Sequence, residues 1–68
     1  MKDVLKVIEI LSESDQSWEA AAQKAVDRAC ETLKGVKSIY IKHFEATVRD
    51  SRIECYRVNA KVAFRLDD

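Results

Sequence analysis

Residues 17–35 read SWEAAAQKAVDRACETLKG, and the fold turns on how this stretch is understood. Trp18, Ala22, Ala25, Ala29 and Leu33 recur in steps of four, three, four and four, which lays one apolar stripe along a helix, flanked by Ala21, Val26 and Cys30. Ser17 suits the N-cap, because its hydroxyl can accept from the free N–H groups of the first turn. Asp15 and Glu19 favour the positive end of the helix dipole. Gly35 is the only glycine in the chain and stands where a left-handed residue would close a helix. These signals predict a helix over 18–34, and its alanines predict close approach to a sheet.

The segments outside the helix alternate. Before it, residues 3–11 place Leu5, Val7 and Leu11 on one face and Val4, Ile8 and Ile10 on the other, interrupted by Lys6 and Glu9. Apolar residues on both faces predict an internal or interface strand, followed by turn chemistry from Ser12 to Ser17. After the helix, Ile39 and Ile41 alternate in one phase and Phe44, Ala46 and Val48 in the other. That change of phase predicts a β-bulge near Lys42 and His43. Arg49-Asp50-Ser51-Arg52 reads as a hairpin turn. The last segment sets Tyr56, Val58, Ala60, Val62, Phe64 and Leu66 on one face and Arg57, Asn59, Lys61 and Arg65 on the other. The architecture expected is α+β: one β-α-β-β domain over residues 1–68, a three-stranded antiparallel sheet wrapped on one helix.

Composition narrows what such a domain can do. Lys+Arg and Asp+Glu both number 12, so there is no cationic excess for gripping nucleic-acid phosphates. The apolar run near the start is too short and too interrupted by Lys6 and Glu9 to span a bilayer, so a cytoplasmic protein without membrane attachment is expected. A 68-residue chain is also short of core. Below roughly 70–80 residues a core rarely supplies more than about 3–5 kcal/mol, and disulfides, a metal or oligomerisation make up the difference. Cys30 and Cys55 show no metal-ligand spacing and are read as small packed residues. Oligomerisation is the route left.

No nucleophile–base pair, glycine-rich phosphate loop or catalytic carboxylate pair is legible, so an enzyme is not expected. Arg57, Lys61 and Arg65 form a basic stripe on one strand face, suited to a phosphate-bearing ligand or to pairing with Glu9, Glu45 or Glu54 of adjacent strands. His43 has no partner at metal spacing, and Cys55 has no adjacent His or helix N-terminus to activate its thiol. Asp50, Glu54, Asp67 and Asp68 are hard-oxygen donors that could hold calcium between subunits, though no EF-hand-like loop is present.

Three segments together carry a family resemblance. Lys6-Val7-Ile8-Glu9-Ile10, Ser17-Trp18-Glu19-Ala20-Ala21 and Tyr56-Arg57-Val58 with Lys61-Val62-Ala63-Phe64-Arg65-Leu66-Asp67 resemble the dodecins, in order and spacing, over nearly the whole chain. The resemblance implies a hollow homododecamer of tetrahedral symmetry built from trimers. It implies non-enzymatic sequestration of riboflavin or FMN and, in bacterial members, of coenzyme A. In that family a tryptophan early in the second strand stacks on the flavin ring and a glutamine in the third strand hydrogen-bonds it. Here Ser38 and Arg57 stand in those places. Trp18 matches a packing tryptophan at the helix start instead. The ligand-binding set is therefore Ser38, Arg57, Lys61 and Arg65, with FMN or riboflavin weakened as cofactors. The alternative is a structural or calcium-binding cage without flavin.

Overall fold

In the computed structural model, which describes residues 4–66, the elements run β1 (Leu5–Ser14), α1 (Trp18–Thr32), β2 (Val36–Arg49) and β3 (Arg52–Arg65). The β-α-β-β order and the antiparallel three-stranded sheet match the reading of the sequence. The sheet order is β1-β3-β2, so the strand with the strictest alternation is the central one.

The helix begins where its chemistry says it should. Ser17 is the N-cap, and its Oγ accepts the Ala20 N–H at 2.9 Å. The buried stripe is Ala21, Ala25 and Ala29, which lie against the sheet, and Cys30 is turned outward and exposed. Across from them Val58, Ala60 and Val62 of β3 have no accessible surface. Small side chains on both sides let the helix axis come close to the sheet, and this thin seam is the core.

The far end of the helix differs from expectation. Leu33 is the C-cap, in extended conformation (φ −112°, ψ 141°), and its N–H donates to the Ala29 carbonyl at 2.9 Å. Gly35 does take a left-handed φ of 70°, but for a different purpose. Its carbonyl accepts the Arg65 N–H at 2.9 Å, and a Cβ built on it would lie 3.0 Å from the Arg65 Cβ. The glycine lets β2 start hard against the end of β3. Gly35→Ala is expected to cost about 1–2 kcal/mol, from the left-handed backbone and the contact with Arg65. A urea midpoint unchanged from wild type would contradict this.

One further expectation shifts. β1 runs through Ser14, pairing Ser12, Glu13 and Ser14 with Val58, Arg57 and Tyr56, so the segment read as turn is largely strand. The buried Ser14 ends it by accepting the Gln16 N–H on its Oγ at 3.0 Å. Within one chain β1 is also an edge strand, pairing only with β3, and its Leu5, Val7 and Leu11 are about half exposed.

The β2–β3 hairpin closes on Asp50 (φ 52°) and Ser51 (φ 64°), the positive pair that a two-residue turn needs to match strand twist. Register shifts fall between Ile41 and His43, as the phase change indicated, and also between Val36 and Ser38 and between Thr47 and Val48. β1 reaches only to Tyr56 on β3, so the tip of the hairpin projects as a two-stranded ribbon. No helix among the described residues is long and apolar enough to cross a membrane.

Candidate ligand face

The side of the sheet turned away from α1 is uncovered in the single chain, and strand register arranges it in rows. Glu13, Arg57 and Glu45 make one row across β1, β3 and β2. Leu11, Asn59 and His43 make the next, then Glu9, Lys61 and Tyr40, then Val7, Ala63 and Ser38, with Leu5 and Arg65 at the end. Period-two alternation alone puts Arg57, Lys61 and Arg65 on this face, as the sequence indicated.

The three cations do not stand alike. Arg57 is clamped between neighbouring strands: its Nε donates to Glu13 Oε2 at 2.8 Å, its Nη2 donates to the same oxygen, and its Nη1 reaches Glu45 Oε2 at 3.4 Å. Its pKa is raised further above the ordinary value, chiefly by the hydrogen bond to Glu13 and also by the charges of Glu13 and Glu45. Lys61 lies four residues along β3, about 13 Å away at strand rise. It is exposed and makes no ion pair within 4 Å among the described residues. Arg65 packs at the Gly35 end.

Glu9 partners Lys42, whose Nζ donates to Glu9 Oε2 at 2.9 Å from the bulge on β2. The Lys42 hydrogen bond and charge lower the Glu9 pKa, with smaller help from Lys61 and His43. Of the three glutamates expected to meet the stripe, Glu45 meets Arg57 and Glu9 meets Lys42. Glu54 turns instead to Arg49 on the hairpin, at 3.4 Å. Glu13, the principal partner of Arg57, lay in the stretch read as a turn and was missed. Continued alternation beyond Leu11 was the signal that could have found it. Ser38 sits opposite Ala63, exposed and two rows from Asn59. The Asn59 Oδ1 is buried without a hydrogen-bond partner among the described residues.

Trp18 belongs to the opposite face. Its Nε1 donates to the Glu45 carbonyl at 2.9 Å, and its ring meets Tyr56 and Phe44 edge-on at centroid distances of 4.9 and 6.0 Å. That is the packing role the helix start implied. With Ala22, Ile41 and Phe44 it also lines an apolar groove of about 420 Å³. Cys55 is half-buried, and both cysteines are free thiols. No group of three or more His, Cys, Asp or Glu residues at metal-holding distance occurs among the described residues. Asp67 and Asp68 lie outside the described residues, so of the acidic set only Asp50 and the Arg49-paired Glu54 are placed.

The sequence profile of the Dodecin family matches residues 4–67. A dodecin of Thermus thermophilus is 32% identical over 68 residues, covering 100% of this chain and 99% of that protein. The calcium dodecin of Mycobacterium tuberculosis is 32% identical over 63 residues, 93% of this chain and 89% of that protein. Its crystal structure, described as having a novel calcium-binding site, superposes with a TM-score of 0.82 over 96% of this chain and 93% of that one. The dodecin of Streptomyces coelicolor superposes at 0.91, with 25% identity, over 96% and 93% of the two chains.

Proposed function

The chain belongs to the dodecin family, and from that premise we propose that it is a non-enzymatic, cytoplasmic binding and storage protein. It works as a hollow homododecamer built from trimers and takes a phosphate-bearing small molecule. The observation that carries this is the open sheet face, where Ser38, Lys61 and Arg65 occupy neighbouring rows with no covering element. Lys61 and Arg65 supply charge for a phosphate. Arg57 can join by exchanging the longer contact to Glu45 while keeping Glu13. Flavins bind weakly here, because Ser38 has no aromatic face to stack on.

The test is the visible absorbance of the purified protein, followed by titration with FMN, riboflavin and coenzyme A. FMN should bind more tightly than riboflavin, and added salt should narrow the difference. Ser38→Trp is expected to tighten both by about 1–3 kcal/mol, the worth of one stacked ring. Tight riboflavin binding by the unaltered chain, with strong quenching, would overturn the weak-flavin reading.

The second reading is a calcium-holding or purely structural cage, favoured by the 32% identity to a calcium dodecin. Calorimetric titration with calcium separates the two. Stoichiometric calcium uptake with no response to FMN or coenzyme A would select the cage.

A further inference from the structure

We draw no further inference here: the strongest candidate, the apolar groove beside Trp18, Ala22, Ile41 and Phe44 together with the exposed Val48 and Ile53 of the β2–β3 hairpin, is an unpartnered face, and nothing in the structure shows what covers it.

Discussion

Light scattering on the purified chain is expected to return a particle of twelve subunits, twelve times 7.8 kDa or about 94 kDa. The physical requirement for company is in the geometry of one subunit. The 15-residue helix is about 22 Å long at 1.5 Å per residue, while each 14-residue hairpin strand runs about 46 Å. The chain measures 52 Å along its longest axis, so one helix shields only about half of its own sheet. What it shields is thin: the largest fully buried side chains are Val58 and Val62. What it leaves bare is larger. Phe44, Val48 and Ile53 on the hairpin and Leu5, Val7 and Leu11 on β1 are all roughly half exposed or more. Burying such side chains against other copies stabilises by about 1.5–3 kcal/mol for each one fully covered, comparable per few residues with everything an isolated core of this size supplies. That argument demands an oligomer. The number twelve comes from the family. A stable 7.8 kDa monomer at micromolar concentration would refute both.

The same geometry explains which features could be read in advance. The helix start was legible because capping is local: Ser17 and the Ala20 N–H are three residues apart. The bulge after Ile41 was legible because it changes which residues alternate, and the sequence carries that change in its apolar positions. The shifts at Val36/Ser38 and Thr47/Val48 leave no such trace, since too few apolar residues lie on either side to mark a phase. Gly35 announced a left-handed backbone, but the reason for it is Arg65, thirty positions later in the chain.

Long-range pairing likewise decided what was legible in the site. The basic face of β3 follows from alternation within one strand. That Arg57 is held by Glu13 depends on register between β1 and β3, separated by the whole helix and hairpin. Glu13 sits among serines, and polar strand ends resemble turns when read alone.

Trp18→Ala is expected to cost about 3 kcal/mol, near the lower end for removal of a large aromatic because the side chain is only half buried. Three losses combine. The ring forfeits two edge-on contacts, with Tyr56 at 4.9 Å and Phe44 at 6.0 Å, each of the kind worth about 0.5–1.5 kcal/mol beyond its buried area. The Glu45 carbonyl loses the Nε1 donor at 2.9 Å, about 1 kcal/mol. The groove beside Ala22 and Ile41 loses one wall. Against a subunit core of about 3–5 kcal/mol, that is enough to leave the fold dependent on assembly. Trp18→Phe separates the contributions: it keeps an aromatic face and removes the donor, so about 1 kcal/mol of the loss should remain. The effect should also reach the other side of the sheet. Trp18 holds the backbone of Glu45, and the Glu45 carboxylate is one jaw of the Arg57 clamp. Loosening β2 at that point should free the Arg57 Nη1 contact before the shorter one to Glu13. Chemical denaturation of the assembled protein measures the first effect, and the Arg57 side-chain NMR resonances report the second. A Trp18→Ala protein with unchanged stability and unchanged Arg57 signals would show that the ring is peripheral to the subunit and that the two faces of the sheet are independent.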